Sequence, residues 1–565
     1  MAKSAVSIKE LRFRYRDKKE LVIDDFSLDI QEGEFLVIMG ANETGKSTLV
    51  SFFNGLIPHY TRGPMKGDVF IWGKNTKDHK VPELAEDVGI IFQDFEAQLF
   101  STNVELEVAF GPENFAVDRE EIKRRIQENL EFVGLEEFRR RSPATLSGGQ
   151  KQKLAIASVL AMEPNILVMD EATTDLDPIS KQGVYEITNK LRQREDMTLV
   201  VVEHDTEEVL NADRIALMRD GKLAELGPAQ EILRRGDLLA ELGVMPLGIP
   251  RFFEQMGSST LPLTPEEGKQ IFENENWKIS DSLYSDLVKK EQNELSQKKQ
   301  EPIIQVRDLK YSYPNGVEAL SGIDLDIYKG EIVAIVGQNG SGKTTLAKHL
   351  NALLMPTEGQ VEVYGKTTAE QGVFEIGKKV GYVFQNPDHQ IFSERVYDEV
   401  IYGPRLRNVP TDEAEKRVKE SLKAVGLEGF EEADPFSLTK SGRQRVAVAS
   451  VLSIRPEVLI LDEPTTGLDY DGQRGMMDMV VELNKQGSTI IFITHHMWVV
   501  AAYADRVYVV KDGKILLEGL TREIFAEEKI LKDSFLRPPH FVQFSNLLGK
   551  TFLSDSEMIS CMEGK

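Results

Sequence analysis

The stretch LDIQEGEFLVIMGANETGKSTL (residues 28–49) decides the fold, because it occurs again as LDIYKGEIVAIVGQNGSGKTTL at 325–346. The displacement between the two is 297 positions, from Gly40 to Gly337. Working outward, VGIIFQDFEAQLFS (88–101) returns as VGYVFQNPDHQIFS (380–393), and NILVMDEATTDLD (165–177) returns as EVLILDEPTTGLD (457–469), both displaced by 292. Motifs repeated in one order at nearly one offset mark a duplicated domain of roughly 240 residues. The expected organisation is a first domain over 4–240, a helical appendage and linker over 241–301, a second domain over 302–533 and a C-terminal helical appendage over 534–565. IPRFFEQMGSSTLPLTPEE, beginning at Ile249, weakly matches PPHFVQFSNLLGKTFLSDSE, beginning at Pro538, so one small appendage is assigned to each repeat. Only the polar stretch near 285–301 reads as flexible linker.

Within each copy, runs such as FLVIMG, IVAIVG and VLILD lack polar alternation and suit parallel strands buried on both faces. Helical stretches alternate with them, and a highly charged helical region interrupts the pattern near 103–143 and 396–435. The fold class is α/β: two tandem domains, each with an inserted helical subdomain.

Composition narrows the chemistry. The chain has 565 residues, 41% hydrophobic and 28% charged, with a net charge of −24. That balance disfavours nucleic acid as a partner and unaided binding to an anionic membrane. A single cysteine, Cys561, excludes a disulfide framework, a four-cysteine zinc site and a cysteine-ligated iron–sulfur cluster. No apolar run approaches the ~20 residues of a spanning helix, and the N-terminal stretch lacks an uninterrupted signal segment. A soluble protein of a reducing compartment, reaching membranes through a partner, is expected.

Gly40–Ser47 and Gly337–Thr344 both fit GxxxxGK[ST] between an apolar run and a helical one. Such a loop turns successive backbone N–H groups inward to cradle phosphates. The candidates for binding triphosphate are Gly40, Asn42, Gly45, Lys46, Ser47 and Thr48 in the first copy. Gly337, Asn339, Gly340, Gly342, Lys343, Thr344 and Thr345 are those of the second. Asp170 and Asp462 end apolar strands and, with Ser47 and Thr344, are candidate Mg²⁺ ligands. The following Glu171 and Glu463 are placed to polarise the attacking water.

The set as a whole resembles the nucleotide-binding subunits of ATP-binding cassette (ABC) transporters. Leu146-Ser147-Gly148-Gly149-Gln150 is that family's signature. The resemblance assigns Gln93 and Gln385 as glutamine-loop residues near Mg²⁺ and water, and His204 and His495 as switch histidines on the γ-phosphate. It assigns Asp177 and Asp469 to the loop crossing the domain interface, and Tyr15 and Tyr313 to stacking on adenine. It implies ATP and Mg²⁺ as ligands, an ATPase activity, and a head-to-tail sandwich of the two cassettes, here an intramolecular pseudo-dimer. The second signature is degenerate: Thr439, Lys440, Ser441 and Gly442 stand where the first has Ser147, Gly148, Gly149 and Gln150. Glu43 also replaces the Gly340 of the other loop. Both departures fall in the site built on Lys46, so hydrolysis is expected mainly at the Lys343 site.

FQDFEAQLFSTNVELEVAFGPENF and FQNPDHQIFSERVYDEVIYGPRL resemble, more narrowly, the ATPases of energy-coupling factor transporters, which import vitamins or cobalt and nickel. That resemblance implies a polytopic transmembrane coupling protein and a membrane substrate-binding component as partners, and a peripheral position on the cytoplasmic face. It further implies that Glu96, Asp388, Gln98 and Gln390 face basic coupling helices. A soluble tandem-cassette ATPase acting on ribosomes or nucleic acid is the alternative.

Overall fold

The computed structural model describes residues 4–173, 176–193, 197–298 and 301–563. Thr174 and Asp175, within the first MDEATTDLD, lie outside them. The chain divides into two compact units, Met1–Pro250 and Arg251–Lys565.

In the first unit a six-stranded sheet runs in the order Lys222–Pro228, Arg214–Arg219, Phe35–Met39, Thr198–Val202, Ile166–Asp170, Val88–Ile91. All neighbours are parallel except the edge pair Lys222–Pro228 with Arg214–Arg219. The central strands are buried along their whole length, as their unbroken apolar sequences require. A four-stranded antiparallel sheet, ordered Ile23–Gln31, Ser4–Phe13, Met65–Ile71, Lys74–Asn75, shares the core formed by Phe13, Phe26, Phe52 and Ile38. The helices Val104–Asn114, Arg119–Val133 and Gly148–Leu160 form the inserted subdomain. Asn103, Asp118 and Ser147 cap them, each side chain accepting from a backbone N–H of the first turn.

The second unit repeats this plan. Its six-stranded sheet is ordered Val380–Val383, Val458–Asp462, Thr489–Ile493, Ile332–Gly337, Arg506–Lys511, Lys514–Leu520. Its helical insert is Val396–Leu406, Thr411–Ala424 and Lys440–Leu452. These are the two α/β P-loop domains with helical inserts that the sequence indicates.

The first appendage from Arg251 onward and the whole of the second fall in the second unit. Phe252 and Phe253 pack against Phe541 and Phe544 with ring centroids 5.7–6.0 Å apart, and Phe272 and Trp277 complete the cluster. Ile279 and Met562 form an antiparallel bridge. The matching sequences at 249 and 538 thus pack on one another, because each supplies half of an aromatic core too small to be buried alone.

The stretch near 285–301, read from sequence as flexible linker, is instead largely the helix Asp281–Lys298. It is fixed at three points: Lys550 to Asp281 at 2.7 Å, Arg522 to Glu291 at 2.6 Å, and Lys298 to Asp505 at 2.7 Å. None of these partners is near in sequence, which is why polarity alone misread it. Phe252 is fully buried. Phe252→Ala is expected to destabilise this module by about 3–5 kcal/mol. The check is urea unfolding followed through Trp277, with Trp72 and Trp498 replaced by Phe.

Candidate functional site

In each unit the parallel strands end on one edge, where crossover topology gathers loops into a ligand site. In the first, Phe35–Met39 leads into the phosphate loop, Thr198–Val202 into His204, Ile166–Asp170 into Glu171, and Val88–Ile91 into Gln93. In the second, Ile332–Gly337, Thr489–Ile493, Val458–Asp462 and Val380–Val383 deliver Lys343, His495, Glu463 and Gln385 in the same order.

The loops close on themselves through their lysines. Lys46 Nζ donates to the carbonyls of Gly40 (3.1 Å) and Ala41 (2.8 Å), and Lys343 Nζ to those of Gly337 (2.9 Å) and Gln338 (2.7 Å). Gly45 and Gly342 have φ of 97° and 104° and start the following helices. A Cβ on either would lie 2.6 Å from a backbone oxygen, Val22 O or Ala319 O, so only glycine fits. Glu43 keeps the left-handed turn of its counterpart, φ 64° against 78° at Gly340, and its side chain is exposed.

Ser47 Oγ donates to Asp170 Oδ1 at 3.0 Å, and Thr344 Oγ1 to Asp462 Oδ1 at 3.2 Å. Each pair brings a hydroxyl and a buried carboxylate together, an all-oxygen donor set suited to Mg²⁺. Burial, and then the neighbouring Glu171, push the Asp170 carboxyl up to about 6. Burial likewise raises Asp462. A divalent cation would offset that penalty directly, so these residues fit the ion.

His204 Nε2 lies 2.9 Å from Glu171 Oε1, and His495 Nδ1 lies 3.0 Å from Glu463 Oε2. Lys46 Nζ is 3.8 Å from Glu171 Oε1. Burial pushes the Glu463 carboxyl up, but His495 beside it prevails and holds it below its ordinary value. Both glutamates take positive φ, 48° and 50°, a strained geometry held where the strand ends. Tyr15 and Tyr313 hydroxyls pair with Thr48 and Thr345 Oγ1 at 2.9 Å in each unit, which sets both rings beside the phosphate loop. Gln93 and Gln385 are exposed at the same edge.

The signature segments differ in a compensated way. Ser147 caps its helix with a reciprocal bond from Gln150, whereas Thr439 caps alone, accepting from Gly442 N at 3.0 Å. A Cβ on Gly149 would collide with Ser180. In the second copy Ser441 carries that Cβ, and Gly472, 292 positions after Ser180, has given up its own. The Lys440 ammonium lies over Gly467 of its own unit. Asp177 and Asp469 cap the next helices, accepting from Ser180 N and Gly472 N at 2.8 Å.

Two features escaped sequence reasoning. Tyr382 Oη donates to Asp462 Oδ2 at 2.7 Å, while the first copy has buried Ile90 there. Buried Glu107 and Glu399 accept from the N–H groups of Phe100 and Ser101, and of Phe392 and Ser393. They pin the chain after the short 3₁₀ helices Phe95–Gln98 and Pro387–His389. Phe100 and Phe392 stand 62% exposed, stacked edge-on against Phe110 and Tyr402. Glu96 is paired with Lys151 at 2.8 Å and Asp388 with Arg443 at 2.6 Å. Gln98 and Gln390, expected to face outward, are turned inward. Gln98 bonds Phe92 N and Ile90 O; Gln390 bonds Phe384 N, Ala447 O and Ser450 Oγ. The amides satisfy backbone groups freed where the strand ends.

Comparison with known proteins identifies the family of the chain. The family described as ABC transporter matches residues 23–174 and 320–466. A chain from Caldanaerobacter subterraneus subsp. tengcongensis, provisionally described as an ABC transporter ATP-binding protein, is 53% identical over 560 residues, 98% of each chain. One from Methanosarcina mazei with the same description is 37% identical over 549 residues, 94% of this chain and 92% of that one. A solved structure of cbiO1 from Clostridium perfringens, part of the ABC transporter complex cbiONQ, is 40% identical. It covers 43% of this chain and 98% of its own, at a TM-score of 0.39.

Tyr382→Phe removes a bond to a buried carboxylate that orients the candidate metal ligand. It is expected to raise the Mg²⁺ concentration needed for half-maximal ATP hydrolysis by about tenfold. Metal titrations of turnover check this.

Proposed function

We propose that this chain, which belongs to the ABC transporter family, is the double-ATPase subunit of an energy-coupling factor type importer of a vitamin or transition-metal ion. Binding and hydrolysis of Mg²⁺·ATP follow from the family itself. The importer type, the membrane partners and the residue roles below are the proposal. Among the described residues no helix is long and apolar enough to cross a membrane; in this proposal the membrane partners carry the solute across.

The observation carrying the transporter reading is the pair of exposed aromatic steps, Phe100 on Phe110 and Phe392 on Tyr402, at matching positions in the two copies. Each is held rigid by a buried glutamate and lies beside a glutamine loop. An exposed, rigid aromatic step next to an acidic residue suits an amphipathic basic helix from a membrane partner. Glu96 and Asp388 are half-neutralised by Lys151 and Arg443, so docking proceeds by exchange of one cation for another.

In each catalytic centre the phosphate loop and its lysine would bind the triphosphate, and the tyrosine would stack on adenine. Ser47, Asp170 and Gln93, or Thr344, Asp462 and Gln385, would hold Mg²⁺, which neutralises charge on the β- and γ-phosphates. Glu463 would accept a hydrogen bond from the attacking water as the bond to the γ-phosphorus breaks, with His495 holding that carboxylate. Signature residues of the opposite cassette would complete each site in an intramolecular sandwich. Ser147, Gly148, Gly149 and Gln150 would face the Lys343 site; Thr439 and Lys440 would face the Lys46 site. A lost transition-state donor costs roughly 10²–10³ in rate. The Lys343 site therefore does most of the work.

Glu463→Gln is expected to lower steady-state ATP hydrolysis by about 10²-fold or more with ATP binding retained, and Glu171→Gln to leave most turnover. Equal losses in the two variants would remove the asymmetric assignment. For docking, Phe100→Ala with Phe392→Ala is expected to reduce co-purification with the membrane partner several-fold while nucleotide affinity stays within about twofold. Intact assembly would place the partner elsewhere.

A further inference from the structure

The displacement between the copies falls from 297 to 292 inside one short segment. Asn54 and Asn351 both accept from a backbone N–H two residues on, and stand 297 apart. Gly67 and Gly359, both at φ 78° against the opposing strand, stand 292 apart. The first copy is thus five residues longer between these points, and the extra chain lies within GLIPHYTRGPMKG.

The longer segment folds back on the end of the strand Ser4–Phe13. Arg14 N donates to Pro64 O at 3.2 Å. A Cβ at Gly63 would collide with Arg14 O, so the close approach requires glycine. Between them is an open concavity of about 560 Å³ lined by Arg14, Arg16, Arg62, Pro58, Gly63 and Pro64. Arg14 is held in place by donating Nη1 to Lys18 O at 2.7 Å. Among the described residues none of the three guanidinium groups pairs with a carboxylate, in a chain of net charge −24. The second copy has no equivalent: Ser312 and Pro314 flank Tyr313, and the segment carrying Arg62 is missing.

We infer that this concavity is a binding site for a small phosphate-bearing anion, unique to the first cassette and separate from its ATP site. Three arginines around one concavity offer planar forks that match phosphate oxygens, without competing acids. The volume suits a ligand up to the size of a mononucleotide. It is not part of the phosphate-loop site: Lys46, Ser47, Asp170 and Glu171 do not line it, and Tyr15, between Arg14 and Arg16, turns instead to Thr48.

The test uses pyrophosphate as probe and the full chain carrying Lys46→Ala and Lys343→Ala, which disables both phosphate loops. The same calorimetric titration is run on the unaltered chain with its loops filled by a non-hydrolysable ATP analogue. Saturable binding is expected in both, weakened roughly tenfold or more when Arg16→Gln and Arg62→Gln are added. Both side chains are exposed, so the fold is retained, and an unchanged thermal transition confirms it. No saturable binding, or equal affinity with and without the two arginines, overturns the inference. So does sedimentation with phosphatidylglycerol vesicles that needs Arg16 and Arg62 in the absence of pyrophosphate binding, which would assign the arginines to a lipid headgroup.

Discussion

Two carboxylates in succession at the buried end of one strand are the constraint around which each cassette is arranged. Asp170 and Asp462 are nearly inaccessible, and each is followed immediately by a second acid. Burial disfavours the charge on Asp170 and the adjacent Glu171 adds to that penalty, so its carboxyl is raised. Nearly every polar group around them answers that problem. A hydroxyl donates to the aspartate, a histidine meets the glutamate, and a lysine waits in the loop. These groups come from three different strands, and only parallel strands with crossover connections bring three strand ends to one edge. The two acids thus stand beside a hydroxyl and a histidine, and a divalent cation would offset their charge. That makes the site a place where Mg²⁺ and triphosphate bind together.

Duplication has let the two solutions drift apart while keeping the frame. Exchange of Gly149 and Ser180 for Ser441 and Gly472 moves one Cβ across a single contact and leaves the packing intact. Lys440, which has no counterpart to Gly148's bare backbone, finds its place over Gly467. Tyr382 supplies Asp462 with a donor that Ile90 cannot give Asp170. The second copy thus keeps the better-supported carboxylates and the first keeps the better signature.

What could be read from sequence follows the range of the interactions concerned. Phosphate loops, strand-end acids and helix caps depend on neighbours within a few residues, so Lys46, Asp170, Ser147 and their counterparts were legible, as were the buried strands. Tyr382, Glu107 and Glu399 were not, because their meaning lies in partners across a loop or a sheet. The helix Asp281–Lys298 reads as linker by polarity; its anchors Asp505, Arg522 and Lys550 lie more than 200 residues downstream. The pairing of the two appendages was hidden for the same reason. Each half shows only a few aromatics, and the cluster exists only once both are present.

The inward turn of Gln98 and Gln390 bears on how a partner could influence catalysis. An amide pointing outward could only touch a docked helix. Turned inward, Gln98 ties the 3₁₀ turn to Ile90 on the strand Val88–Ile91 and to Phe92 just beyond it, and so to the exit leading to Gln93. Gln390 ties the same turn to Ala447 and Ser450, on the helix that begins at the second signature. Glu107 and Glu399 clamp the other end of the turn to the helical subdomain. Phe100 and Phe392 are therefore joined by a short hydrogen-bonded segment to the strand ends that lead to Gln93 and Gln385. Such a segment transmits displacement instead of absorbing it. In both copies the amide oxygen accepts from the N–H at the strand exit, Phe92 N and Phe384 N, and in the second the amide nitrogen adds bonds to the helix that follows the signature.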